Sequence, residues 1–386
     1  MPGFELIGAE ERAEVDELFA KGGVLFRHSF DAIRNGIYKV RDFERAFAEA
    51  MGAPHALAVT SGTAALRVAL AVLDLEPGDE VITQSFTFVA TAEAIIEAGA
   101  VPVCADVDAT LNMDPAALER LIGPRTRAVI AVHMLGTPAR LREIDAICRA
   151  RGVALIEDAA WGCGGALDGR PLGTWGRMGT YSFDYAKTMT TGEGGMIVFR
   201  DAADHAAAAA WHDHGHENNP SVPRWEDTRA SSGFNFRMTE LQGAVGLAQL
   251  RKLPAVVERQ RANRDAMWAA IAGIRGVSPR EMPAGSHDTA DALVFAVPDA
   301  AAARRCRESL LAVGLGTKIL PEAVTWHFAG TWTHMPELVA RHGDLGAAFG
   351  PSRARLERAV SLPVTVRMED SVPGRMASAI GSALAS

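Results

Sequence analysis

The stretch Tyr181 to Phe199, YSFDYAKTMTTGEGGMIVF, places a single lysine, Lys187, in the connection between an aromatic strand-like run and a second apolar run that follows a glycine-rich turn. The chain has only five lysines among its 39 basic residues, namely Lys21, Lys39, Lys187, Lys252 and Lys318, and arginine carries the rest of the positive charge. A lone lysine is ordinarily a solvated surface charge. Between two apolar strands, however, a long solvated side chain is out of place. Burial disfavours the ammonium form of an amine held there, and a lowered pKa is what Schiff-base chemistry requires of a lysine.

Working outward, short β-rich runs HALAVT (55–60), DEVITQ (79–84), VPVCADV (101–107), RAVIAVHM (127–134) and VALIED (153–158) alternate with helical stretches of ten to twenty residues. This spacing predicts an α/β unit with a mostly parallel sheet. After about residue 238 the pattern becomes long and helical, with a break expected at Pro254, and reads as a connection to a second unit. DALVFAVP (291–298), AAARRCRESLLAVG, AVSLPV and DSVPGRMASAIGSALA predict a smaller α+β unit. The expected organisation is an N-terminal arm over 1–35, a large ligand-binding domain over 36–250 and a small C-terminal domain over 251–386. HENNPSVPRWEDTRASSG, 216–233, reads as a polar loop.

Composition narrows the function classes. The chain has 386 residues, is 48% hydrophobic and carries a formal net charge of −8, so it can bury a large core. No apolar run approaches the roughly 20 residues needed to span a bilayer, and the N-terminus has no basic start followed by an apolar block; a cytoplasmic location and no membrane partner are expected. The acidic balance argues against a nucleic-acid partner. Cys104, Cys148, Cys163 and Cys306 show no metal or redox spacing and read as reduced core residues. WHDHGHENN brings His212, Asp213, His214 and His216 close in sequence, but a third distant ligand is not evident and no metal is expected. There is no G-x-G-x-x-G after a strand and no Walker lysine.

Ligands in such sheets bind beyond the carboxyl ends of the strands. The first strand ends in TSGTAAL, where Ser61, Gly62 and Thr63 open a helix and offer free N–H groups to an anion; taken alone this is an ordinary N-cap. The strand 153–158 delivers Glu157 and Asp158 to the same edge, and a buried carboxylate there needs a positive partner. On spacing alone a structural carboxylate explains it as well. An anion cradle, a carboxylate and a lone lysine are together what pyridoxal 5′-phosphate requires: a grip on its phosphate, a counter-ion for its ring nitrogen and an amine for its aldehyde.

SGTAAL, PGDEVITQSFTFVATAEAI, IEDAA, SF…K…TGEGG and GFNFRMTELQGAVGLAQL, in this order from about residue 40 to 260, resemble the DegT-type sugar aminotransferases of the aspartate aminotransferase fold. The resemblance implies that Lys187 joins the cofactor and shuttles a proton between the substrate α-carbon and the cofactor, and that Asp158 pairs with the ring nitrogen. It implies that Ser182, Gly62 and Thr63 hold the phosphate and that Phe88 stacks on the ring. Asn235 would reach the phosphate of a neighbouring chain, making a homodimer with shared sites. Glutamate would be the amino donor and an oxo-sugar the acceptor.

The chain also departs from that pattern. Where the family usually has a glutamine or histidine beside the ring hydroxyl, it has Trp161, which either retunes the cofactor, reshapes the pocket or points elsewhere. Arg177 and Met178 stand where an acidic residue is common. The N-terminal run and TWHFAGTW resemble a subgroup that aminates C8 of 3-deoxy-manno-octulosonate, with Arg27, His28, Arg34 and Lys39 giving an acidic sugar a basic environment and His327 touching it. The alternatives are a nucleotide-linked keto-hexose acceptor, a member repurposed for dehydration or oxidation, and a non-catalytic regulatory relative that binds the cofactor.

Overall fold

The computed structural model describes residues 2–385. Seven strands form the main sheet: β1 (His55–Val59), β2 (Glu80–Gln84), β3 (Val101–Ala105), β4 (Thr126–Val132), β5 (Ala154–Asp158), β8 (Met178–Ser182) and β9 (Gly195–Phe199), in the order β1-β9-β8-β5-β4-β2-β3. β9 pairs antiparallel with both β1 and β8, whereas the neighbours from β8 to β3 pair parallel. Six of the seven strands therefore point the same way. The five runs read from the sequence are all strands, ending within two residues of the expected positions. β2, β8 and β9 are buried along their whole length; β9 reads as a continuous apolar run instead of an alternating one, whereas β2 and β8 also bury the polar residues Glu80, Thr83, Gln84, Thr180 and Ser182.

Helices cover both faces and bury separate apolar clusters there. In the helix Lys39–Met51 the apolar positions Val40, Phe43, Phe47 and Met51 recur every three or four residues and lie on one buried face. That helix crosses the helix Glu240–Ile271 closely enough that a Cβ on Gly243 would stand 2.7 Å from the Val40 amide nitrogen. The crossing is locked by buried charge: Glu240 pairs with Arg34 at 3.2 Å and accepts the Val40 N–H at 3.1 Å.

The break expected at Pro254 does not occur. Glu240–Ile271 is one 32-residue helix, and the proline removes a single N–H while Leu250, Leu253, Val256 and Val257 are buried around it. The expected boundary at 250/251 falls inside this helix. Beyond it, β10 (Ser278–Pro279), β12 (Ala292–Ala296) and β13 (Ala359–Pro363) form a second sheet, backed by helices Ala300–Ala312 and Val372–Ala385 around their own apolar cluster. A small sheet of β6 (Ala166–Leu167), β7 (Arg170–Pro171) and β11 (Ser286–His287) links the two parts. No helix among the described residues is long and apolar enough to cross a membrane.

Candidate active site

A cavity of about 280 Å³ opens at the carboxyl edge of β5 and β8, and Gly62, Thr63, Phe88, Asp158, Trp161, Ser182, Lys187 and His327 all line it. Lys187 is placed there by a loop tied down at several points. Its N–H donates to the Asp184 carbonyl at 3.0 Å, the Asp184 carboxylate accepts the Ala186 N–H at 2.9 Å, and its own carbonyl accepts the Gly3 N–H at 3.0 Å. Burial pushes the Lys187 amine from 10.5 down to about 8, opposed in part by the charges of Asp291 and Asp158. An appreciable share of the amine is therefore unprotonated near neutrality, the state in which it can attack a carbonyl.

Glu157 and Asp158 follow one another in a strand and so point to opposite faces. Glu157 accepts the N–H groups of Gly173, Trp175 and Gly176 at 2.5 to 2.8 Å and lies 3.1 Å from His133 Nε2, so it fastens the 173–176 turn. Asp158 instead faces the cavity. Among the described residues it accepts only the Ala160 N–H at 3.1 Å and the Thr91 hydroxyl at 3.2 Å. Burial pushes its pKa up, and the positive charge of Lys187 offsets this only in part. A cation delivered into the cavity would find here a carboxylate with hydrogen bonds but no salt bridge.

The anion cradle is as cramped as a ligand-gripping helix start should be. Ser61 caps the helix Gly62–Ala71 by accepting the Ala64 N–H at 3.0 Å, and Ser182 ends β8 directly against it. A Cβ on Gly62 would sit 2.7 Å from Ser182 Cβ, so only glycine lets the helix start approach that strand. Phe88 is 39% exposed, and its ring lies 5.4 Å from that of His327 and 6.4 Å from that of Trp326. One face of the pocket is thus an aromatic wall built from both parts of the chain.

Trp161 serves cavity and core together. It belongs to the apolar cluster with Phe86, Met134 and Trp332, yet it lines the cavity, and Lys187 Nζ stands 3.6 Å from its ring centroid. Lys318 Nζ is 4.7 Å from the same centroid and is held by Asp291 at 2.5 Å. The sequence reading missed Thr91, Asp291 and Lys318. Thr91 lies in the first turn of the helix Ala90–Glu97, and its hydroxyl bonds that of Thr87, in the bend before the helix, at 2.8 Å. Asp291 and Lys318 carry no motif.

Other expected residues lie outside this cavity. Arg27 is buried against Glu44 at 2.8 Å and donates to the Ala58 carbonyl. Arg34 is spent on Glu240, and Lys39 on Glu14 and Glu17. The basic environment expected from these three is therefore internally neutralised in this chain. His28 lies 3.2 Å from Asp213 and lines a separate cavity between the arm and the 216–233 loop. Asn235 is exposed, and its carboxamide oxygen accepts the Arg237 N–H at 3.4 Å. The histidine-rich stretch forms no metal cluster among the described residues: His212 bonds the Ala209 carbonyl, and Asp213 is shared by Arg224, Arg237 and His28.

A buried lysine, a carboxylate, an aromatic wall and a glycine-opened helix thus share one cavity. The chain belongs to the DegT/DnrJ/EryC1/StrS aminotransferase family, whose sequence profile matches residues 29–380. It is 34% identical over 381 residues to the spore coat polysaccharide biosynthesis protein SpsC of Bacillus subtilis, covering 95% of this chain and 92% of that protein. It is 42% identical to GDP-perosamine synthase of Caulobacter vibrioides over 213 residues, 55% of this chain and only 56% of that protein's length. Among solved structures it resembles the aminotransferase TlmJ of Streptoalloteichus hindustanus, with a TM-score of 0.83 at 29% identity, covering 98% and 97% of the two chains. Pyridoxal 5′-phosphate is the cofactor that this family and this lining specify. When bound, it supplies an electron sink for the bonds of a substrate amine carbon.

Proposed function

We propose that this chain moves an amino group from glutamate to the carbonyl of an oxo-sugar, in two half reactions at one site. The observation that carries the reading is Lys187, a buried amine with a pKa near 8 on the wall of a cavity that also presents Asp158 and the Gly62 helix start. In this reading Lys187 Nζ holds the cofactor and, once released, takes the proton from the donor's α-carbon. Asp158 keeps the ring nitrogen protonated, Phe88 stacks on the ring, and Gly62, Thr63 and Ser182 grip the phosphate. Asn235 of a second copy completes that grip, so the working form is a homodimer. Its exposure and its lack of a strong internal partner support that role.

For the acceptor we propose the C8 aldehyde of an oxidised 3-deoxy-manno-octulosonate. Support comes from the resemblance of the N-terminal run and of TWHFAGTW, and from His327, which brings the second of these segments to the cavity wall. A nucleotide-linked keto-hexose is the second reading, favoured by the similarity to a GDP-perosamine synthase and by the internal pairing of Arg27, Arg34 and Lys39. Adding glutamate to purified holoprotein tests the reaction: the visible band of the lysine-bound cofactor should fade as 2-oxoglutarate is released. A band that glutamate leaves unchanged, while other amino donors also fail, would point to a binding protein. Restoration of the band by one acceptor and not the other then chooses between the sugars.

A further inference from the structure

We propose that the chain has a second anion site, apart from the Lys187 cavity, in which the Arg280 guanidinium binds the carboxylate or phosphate group of a small molecule. A cavity of about 150 Å³ lies where three parts of the fold meet. Thr137 reaches it from the segment after β4, Arg264 and Trp268 from the helix Glu240–Ile271, and Arg280, Met282 and Asp288 from the stretch between β10 and β12.

Arg280 Nε donates to the Thr110 carbonyl at 2.5 Å, but both terminal nitrogens are buried and meet no acceptor among the described residues. The carboxylates nearby are already engaged. Asp288 takes Arg261 at 2.9 Å and Arg264 at 2.8 Å, Asp265 takes Arg264 at 2.7 Å, and Asp108 takes Arg140 at 2.5 Å. Glu281 is engaged as well, by Arg140 at 3.1 Å, so each of these four carboxylates is bonded to another arginine and the Arg280 fork is left without an acceptor among the described residues. Burial pushes the Arg280 guanidinium down from 12.5 to about 9, opposed in part by the charges of Asp288 and Asp108. Leaving two guanidinium nitrogens dry and unpaired is costly, whereas an oxyanion offering two oxygens would satisfy the fork. Asp288 on the same wall favours a singly charged group over a dianion, and the Trp268 indole suits a short apolar remainder.

The test uses holoenzyme, so that the cofactor's own phosphate grip is filled. Its melting temperature is measured against sodium acetate and, separately, inorganic phosphate, each compared with sodium chloride at equal ionic strength. A saturable rise with either anion is expected, tighter for acetate, and Arg280→Met should abolish it while leaving the cofactor spectrum unchanged. Phosphate binding tighter than acetate would identify the ligand as a phosphate. Should Arg280→Met fail to fold, Arg280→Lys keeps the charge without the fork and should weaken half-saturation at least about tenfold. No rise beyond chloride, or a rise that survives both substitutions, overturns the proposal. The glutamate half reaction reads a different cavity, so either result can fail alone.

Discussion

Replacing Asp158 by asparagine should move the stability of the apoprotein and the affinity for cofactor in opposite directions. In the absence of cofactor the carboxylate is buried with two hydrogen bonds, from Ala160 N and the Thr91 hydroxyl, and burial raises its pKa. An acid whose folded pKa lies above its unfolded value weakens the fold as pH rises past the unfolded value, and the whole loss is present above the folded pKa. Asparagine keeps an oxygen for Ala160 and offers an amide to Thr91 Oγ1, giving up about 1 kcal/mol of charge-assisted bonding. Against this stands the several kcal/mol that burial costs an uncompensated ion. The net expectation is a gain of roughly 1–2 kcal/mol at pH 7, or about 2 °C per kcal/mol for a chain of this size, that disappears at acid pH. With the ring nitrogen as partner the sign reverses: breaking a buried pair costs about 3–5 kcal/mol, so cofactor affinity should fall by roughly 10²-fold to several thousand-fold. Differential scanning calorimetry of the apoprotein and equilibrium dialysis of the cofactor measure the two. A less stable apoprotein with unchanged affinity would refute the reasoning and make Asp158 a structural carboxylate.

Three further outcomes are expected. Gly62→Ala puts a methyl group 2.7 Å from Ser182 Cβ, so it should cost about 1–3 kcal/mol in the apoprotein and weaken cofactor binding, read by melting and titration; a variant with normal values for both would mean that the helix start has room. Trp161→Gln should shift the pH titration of the bound cofactor's spectrum; an unchanged titration combined with a loss of roughly 3 kcal/mol or more in stability would make the indole a core residue only. Lys187 binds its proton less readily folded than unfolded, so between about pH 8 and the usual lysine value the unfolded chain holds more protons and apoprotein stability should rise with pH. The rate of cofactor uptake should climb over the approach to pH 8 and level off above it. A Lys187→Met chain should lack the stability increment, as pH-dependent melting would show.

Much of this was legible because the chemistry lies at strand ends, and strand ends were marked in the sequence. The strand-like runs of β1 and β5 located the ligand edge, from which TSGT and IEDAAWG followed, and Lys187 stood out by its place between two apolar runs. Alternation within β5 explains why only one of two adjacent acids faces the cavity, a distinction that needed the orientation of the strand. Arg27 could not be placed from sequence, because its partner Glu44 lies on a different element and a surface arm reads the same whether its charges are solvated or paired. Pro254 misled because a helix held by buried residues on both sides tolerates a missing N–H. Asp291 and Lys318 were invisible: they come together beside Trp161 only when β12 and the 316–319 turn dock, a contact that no local pattern encodes.

The central claim is that Lys187 is the cofactor's attachment point. The most direct test is to reduce the holoprotein with borohydride, which fixes a lysine-bound cofactor covalently, and to map the modified peptide by mass spectrometry. The cofactor mass should appear on the peptide containing Lys187 at close to one equivalent per chain. Finding it on Lys318, whose amine stands 4.7 Å from the centroid of the same Trp161 ring, or finding no modified lysine at all, would contradict the account.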